Sequence, residues 1–292
     1  MSDPVVHDVV IAGAGPVGLF LAIELETAGV KPLVLERLVE PDRGIKAAAI
    51  GAVGVEALAR RGFARTLDEE QVTMPMTKAA RAGSGPVKKP GGHFSALFVI
   101  DQDLQRDPER HSRMVPQEAL ERILTARASE LGIEIRRGVA VEGFEQDDDG
   151  VTARTSAGPL SAKYLVGCDG GRSRVRRLAG FEFPGTDPTI TGYQALVEFD
   201  APEKLTKGWR RTPRGLITST PGRVFTAEFD GPPPDRDAPI TQAEVEASIW
   251  LRPCIHLIGC PVSESGGGAA CSAEMPRTGR PDRRSMMSAR SG

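Results

Sequence analysis

The sequence predicts an α/β protein: a Rossmann-like dinucleotide-binding domain on a parallel sheet, joined to a smaller antiparallel-sheet domain. Three observations predict it. An apolar run at Val5–Ile11 leads directly into GAGPVG, with Gly13, Gly15 and Gly18 in G-x-G-x-x-G spacing. A helical stretch and a second apolar run, Pro32–Leu35, follow and end on Glu36. Much later, residues 190–230 change to short strand-like runs split by Pro and Gly turns, the pattern of a separate antiparallel sheet.

The first unit carries the clearest chemistry. Val5, Val6, Val9, Val10 and Ile11 suit a buried parallel strand. Gly13 permits the tight turn, Gly15 lets a pyrophosphate approach the backbone, and Gly18 lets helix and strand pack closely. Pro16 and Val17 open the helix, whose N-terminus offers free N–H groups and a positive dipole end. Gly29 stops it. Glu36 can accept hydrogen bonds from a ribose 2′-OH and would repel a 2′-phosphate. The fingerprint alone does not separate FAD from NAD.

The chain continues with a loop at 40–50 and a helix through Val53, Val55 and Leu58 that closes at Gly62. Residues 71–92 read as an excursion from the first domain. His93–Ile100 is apolar enough for one strand, and 101–113 is loop-like. Pro116–Leu131 is an amphipathic helix, with Leu120, Ile123, Leu124, Ala128 and Leu131 on one face. A strand follows at Ile133–Arg137. Val139–Gln146 and Val151–Thr155 flank Asp147-Asp148-Asp149-Gly150, a hairpin signal whose acids read as a solvated turn rather than a metal site. Tyr164–Cys168 is expected as another buried strand, running into Asp169-Gly170. Thr241-Gln242-Ala243-Glu244 is a capping box, with Ile240 placed to staple onto Val245.

Composition narrows the classes. The 292 residues allow about two domains. A formal net charge of −2 gives no reason to expect nucleic acid as a partner. No apolar run approaches a membrane span, and the first strand begins too early to leave room for a signal peptide. A cytoplasmic setting is the default expectation. Residues 252–292 differ from the rest: they hold three of the four cysteines and six arginines against three acids, and they lose all periodicity. They read as a disordered tail, a shifted reading frame or the end of a fragment. A zinc site from Cys254, His256, Cys260 and Cys271 matches no standard spacing, so no metal is expected.

Three segments together resemble the FAD-dependent aromatic hydroxylases, the flavoprotein monooxygenases typified by para-hydroxybenzoate hydroxylase. Within that group the likeness is to the aromatic polyketide and phenol hydroxylase branch. The segments are GAGPVG with Leu35-Glu36-Arg37, then Arg113-Met114-Val115-Pro116-Gln117 with Leu120-Glu121, then LVGCDGGRSRVRR at 165–177 followed by Gly180–Gly185. GHFSAL at Gly92–Leu97 is similar to that branch as well. The resemblance implies FAD as cofactor, NAD(P)H as co-substrate, and hydroxylation of a small aromatic substrate with dioxygen. It places Glu36 on the adenosine ribose and Arg37 near the adenine. It places Arg113 and Gln117 on the phosphate–ribityl region, and Asp169 near the cofactor's centre. Each also has a plain structural reading: Arg37 and Arg113 as surface charges, Gln117 as a helix-start residue, Asp169 as a turn former. Ser173 and Arg176 read as stabilising their own motif. His93 reads as a strand residue, and no catalytic residue is identified.

The implied layout is an FAD-binding domain at 1–72 and 101–185, a substrate domain at 73–100 and 186–251, and the atypical segment 252–292. Phe94, Phe98, Tyr193, Phe225 and Phe229 are candidates to line the substrate sheet, with core packing the plainer role for each. The family's later G-D motif for the ribityl chain and isoalloxazine has no counterpart here, which implies weak FAD retention. Two alternatives stand beside the hydroxylase: a non-catalytic remnant or nucleotide-binding module, and another FAD-dependent oxidoreductase.

Overall fold

The computed structural model describes residues 7–42, 46–71, 90–94, 97–101, 106–107, 110–199, 210–212, 215–220, 222–232, 235, 238, 240–249, 255–257 and 286–287. The chain divides into two compact units. The first comprises 1–42, 63–70 and 115–185, and the second comprises 43–62, 71–114 and 186–292.

The first unit is built on β1 (His7–Ala12), α1 (Pro16–Thr27) and β2 (Pro32–Glu36). Its six-stranded sheet adds β5 (Glu134–Arg137), β6 (Val141–Gln146), β7 (Val151–Thr155) and β8 (Gly158–Gly167) in the order β5-β2-β1-β8-β7-β6. The pairs β5-β2, β2-β1 and β1-β8 are parallel, and β8-β7-β6 is an antiparallel meander. Leu33, Val34 and Leu35 of β2 are fully buried, as a central parallel strand covered on both faces requires. Each such side chain contributes roughly 1.5–3 kcal/mol of burial. One face gathers Val10, Ala12, Leu33, Leu35, Val141, Val151, Ala162 and Val175 into a core cluster.

The unit's helices are α3 (Ala64–Glu69), α4 (Gln117–Glu130) and α5 (Arg174–Leu178). Helix α4 packs against α1 and buries Leu120, Ile123, Leu124 and Ala128, the face its periodicity predicts. The acidic turn is as expected: Asp147 Oδ1 accepts the amides of Asp149 and Gly150, each at 3.0 Å. Strand β8 departs from expectation. It is paired on both edges, yet Tyr164 is 67% exposed and only Ala162 is buried among its residues. Pairing on both edges buries a strand's backbone without covering its faces.

The second unit holds α2 (Ala52–Ala59), β3 (Pro90–Phe94) and β4 (Leu97–Asp101). The single strand expected over His93–Ile100 is instead a hairpin, β3 antiparallel to β4, with register shifts along it. The run HFSALFVI holds no Gly, Pro, Asn or Asp to mark where the chain reverses. An antiparallel sheet follows: β9 (Thr191–Phe199), β10 (Arg210–Thr212), β11 (Gly215–Thr220) and β12 (Arg223–Glu228), in the order β10-β11-β12-β9. Charged β10 had no apolar signal to announce it.

Helix α6 (Gln242–Ile249) packs on β9 and β12. Its capping box is made: the Glu244 amide donates to Thr241 Oγ1 at 3.3 Å, and the Thr241 amide donates to Glu244 Oε2 at 2.8 Å. Ile240 and Val245 are both buried. Within the segment read as disordered, β13 (Ile255–Leu257) and β14 (Met286–Met287) are strands paired to β9. Cys254, Cys260 and Cys271 lie outside the described residues.

Candidate functional site

The predicted nucleotide turn lies between β1 and α1, and its three glycines have different reasons. Gly13 has φ +108°, and a Cβ there would stand 2.5 Å from the Cys168 carbonyl oxygen. A Cβ on Gly18 would lie 2.0 Å from the Gly13 carbonyl oxygen. Those two glycines are required by the protein's own packing. Gly15 is not: its backbone is extended at φ −76°, and nothing lies within 4 Å of where its Cβ would be. The space that Gly15 leaves open faces outward at the start of α1. That helix has no side-chain cap and no acid in its first turn, so its orphan amides and dipole stay available to an anion. Val17, in the first turn, is 70% exposed.

Main-chain bonds fix the turn. The Gly13 amide donates to the Leu35 carbonyl at 2.7 Å, and the Cys168 amide donates to the Ala12 carbonyl at 2.7 Å. Glu36 adds a side-chain clamp. Its Oε2 accepts the Ala14 amide at 2.8 Å, and its Oε1 accepts the Leu38 amide at 2.9 Å. An ionised carboxylate offers about four lone-pair sites, so Glu36 can brace the turn and still accept a ribose hydroxyl. No residue type announces a main-chain donor such as Ala14, so sequence reading found Glu36 without its clamp. Arg37 is exposed beside it.

Asp169 reaches the same neighbourhood from β8, since its Cα would lie 3.1 Å from a Gly13 Cβ. Its carboxylate is committed to α5. Ser173 Oγ donates to Oδ1, and the Arg174 and Val175 amides donate to Oδ2 at 2.6 and 3.3 Å. Ser173 Oγ in turn accepts the Arg176 amide at 3.0 Å. Arg176 donates to the Gly171 carbonyl at 2.7 Å and stacks 4.3 Å over Phe183. The D-G-x-x-S-x-V-R motif is thus a self-bracketing turn, and Asp169 positions the segment that abuts Gly13. Burial first, and the Asp169 charge second, push the Cys168 thiol above its usual value.

Gln117 belongs to the same unit. It opens α4 and donates through Nε2 to Glu121 Oε1 at 2.8 Å. Arg113 belongs to the second unit. It bridges to Ile50 by paired main-chain bonds of 2.8 and 3.0 Å, and its guanidinium donates to the His111 carbonyl at 2.9 Å. The same loop is held to α2 by Arg110, which donates to both oxygens of Glu56 at 2.9 and 3.1 Å. Among the described residues no group of His, Cys, Asp and Glu is arranged to hold a metal ion. No helix there is long and apolar enough to cross a membrane.

The turn with an open Gly15, an uncapped helix and an acid at the end of β2 meets a match over most of the chain. The family described as the FAD binding domain matches residues 6–252. The chain belongs to that FAD-binding domain family. Its similarity extends to a 12-dehydrotetracycline 5-monooxygenase/anhydrotetracycline 6-monooxygenase of Streptomyces rimosus, 40% identical over 265 residues, covering 83% of this chain and 49% of that protein. A dialkyldecalin synthase of Streptomyces rugosporus is 36% identical over 269 residues, covering 89% of this chain and 54% of the other. Among solved structures, an anhydrotetracycline hydroxylase from Streptomyces rimosus superposes with a TM-score of 0.68 at 40% identity, covering 83% of this chain and 48% of that one. The chain spans about half the length of the curated relatives it matches. The chain holds an FAD-binding domain and, later in the sequence, an antiparallel sheet, and its cofactor is FAD.

Proposed function

We propose that the protein acts as an FAD-dependent monooxygenase that hydroxylates an aromatic, phenol-like or polyketide-like substrate, using NAD(P)H and dioxygen in the cytoplasm. The observation that carries this reading is the open face at Gly15, set in a domain 40% identical to an anhydrotetracycline monooxygenase. When bound, FAD supplies the redox chemistry that joins NAD(P)H oxidation to oxygen insertion.

The chain's own residues have positional tasks. The Gly15 main chain and the first turn of α1 receive the pyrophosphate, while Glu36 holds the ribose and keeps the turn in place. Arg37 covers the adenine side. Gln117 and Arg113 act on the phosphate–ribityl stretch. Asp169, bound to α5, fixes the loop against Gly13. The antiparallel sheet of the second unit carries the substrate. Phe225 is half-buried there and suits its lining; Tyr193 is buried in the sheet's packing, and Phe229 is 54% exposed beyond the end of β12. The side chains of Phe94 and Phe98 lie outside the described residues.

The test is NADPH or NADH oxidation by protein supplied with FAD, with and without a polycyclic phenol, read together with oxygen uptake and product mass. A gain of one oxygen atom supports the reading, and no reductant oxidation under any substrate contradicts it. The similarity to a dialkyldecalin synthase favours a second reading, ring formation without oxygen transfer. It predicts a product isomeric with its substrate and no oxygen uptake.

A further inference from the structure

The loop that carries Arg113 is tied to α2 and its entry at two points. Its main chain meets Ile50, just before the helix, in an isolated antiparallel bridge of two bonds, 2.8 and 3.0 Å. Three residues earlier, Arg110 sets its guanidinium fork on the Glu56 carboxylate. Nε donates to Oε2 at 2.9 Å and Nη2 donates to Oε1 at 3.1 Å, across 54 residues of sequence. Glu56 lies midway along α2, and Arg60, one turn on, also donates to its Oε1. The carboxylate is thus held from its own helix as well as from the loop. Inside the loop, Arg113 Nη1 donates to the His111 carbonyl at 2.9 Å. The Arg113 guanidinium therefore rests on main chain that lies between the two ties.

Two ties do what one does not. A single bridge leaves a loop free to swing about it, and a second tie three residues away removes that freedom. The second tie adds little to folding. The Arg110 side chain is 50% exposed, and exposed ion pairs contribute little stability. What a guanidinium fork on a carboxylate does supply is fixed geometry. The Arg110 hydrogen bond holds the Glu56 carboxyl below its usual range, so the tie persists at neutral pH. A guanidinium that is already ordered gives up less freedom when it meets an anion.

We propose that Glu56 and Arg110 are positioning residues for the cofactor: their ion pair fixes the loop that carries Arg113 and so presents its guanidinium to the phosphate–ribityl part of FAD. The proposal deepens the assignment of Arg113 to that part of the cofactor and rests on it. Neither Glu56 nor Arg110 touches FAD; both act through Arg113.

The test uses the full chain. FAD affinity is read by flavin fluorescence, and the loop by hydrogen–deuterium exchange over residues 110–116 without FAD. Glu56→Ala and Arg110→Ala each weaken FAD binding about threefold to tenfold. Each raises exchange in the loop several-fold and melts within a few degrees of wild type, since Ala keeps α2 helical and the pair is exposed. Arg113→Ala weakens FAD binding about tenfold. In E56A/R113A the Glu56 loss disappears, because Glu56 acts through Arg113; two independent structural effects would add. Wild-type affinity in both E56A and R110A, unchanged loop exchange in both, or additive losses in E56A/R113A overturns the proposal. Wild-type affinity in R113A, or no FAD binding by the folded wild type, overturns the Arg113 assignment and this proposal with it. Absent hydroxylation with the predicted FAD losses intact counts against the monooxygenase reading alone.

Discussion

Glu36 Oε2 accepts the Ala14 amide at 2.8 Å across 22 residues of sequence. The acid that ends β2 thereby holds the glycine turn that follows β1, before any ligand is considered. Glu36→Ala leaves the Ala14 and Leu38 amides without their acceptor and lowers stability by about 1–3 kcal/mol. Glu36→Gln keeps one acceptor oxygen and loses less. Urea unfolding of the three proteins orders them wild type, E36Q, E36A.

The glycines separate packing from binding. Gly18→Ala places a Cβ 2.0 Å from the Gly13 carbonyl oxygen, with only backbone to yield. It destabilises by about 1–3 kcal/mol or more. Gly13→Ala adds a left-handed φ to a similar clash and is at least as harmful. Thermal denaturation checks both.

Asp169 holds α5 through three donors. Asp169→Ala frees them and costs about 1–3 kcal/mol. Asp169→Asn retains one acceptor and costs less. Circular dichroism melts distinguish the pair.

The Cys168 thiol titrates above its ordinary value of 9.0, first through burial and then through the Asp169 charge. The native state keeps that proton where the unfolded chain has lost it. This contribution leaves stability unaffected below pH about 9, and stability falls as pH rises from there through the native value. Cys168→Ala removes this slope, measured by unfolding between pH 8 and pH 11. At neutral pH the half-buried, protonated thiol also reacts slowly with iodoacetamide, read by peptide mass.

Helix α6 depends on its start. Thr241→Ala removes one half of the capping box and costs about 1 kcal/mol, seen as a lower melting temperature.

What the sequence showed, and what it hid, follows from where information resides. The strand–glycine–helix–strand–acid order was legible because Gly13, Gly15, Gly18 and Glu36 are residue types with positional meanings. The Asp147 turn and the Thr241 capping box were legible for the same reason. The hairpin inside His93–Ile100 was hidden because an apolar run has no direction. The exposure of Tyr164 depends on what covers β8, which β8's own residues do not encode. At Asp169 the motif was visible, but its partners are the amides of Arg174 and Val175, and main-chain donors leave no trace in residue identity. The row of Thr218, Phe225 and Gln194 was hidden because the pairing of β11, β12 and β9 creates it, and register is not written in residue type.

Of the three glycines in the turn, Gly15 is the one whose identity the protein's own packing does not explain. The decisive measurement is FAD affinity, by flavin fluorescence, of wild type and Gly15→Ala, alongside their melting temperatures without FAD. Wild type binds FAD, and G15A melts within a few degrees of it yet binds FAD at least about tenfold more weakly. Equal FAD affinity in the two proteins, or no FAD binding by folded wild type, would contradict the role of Gly15 at the cofactor.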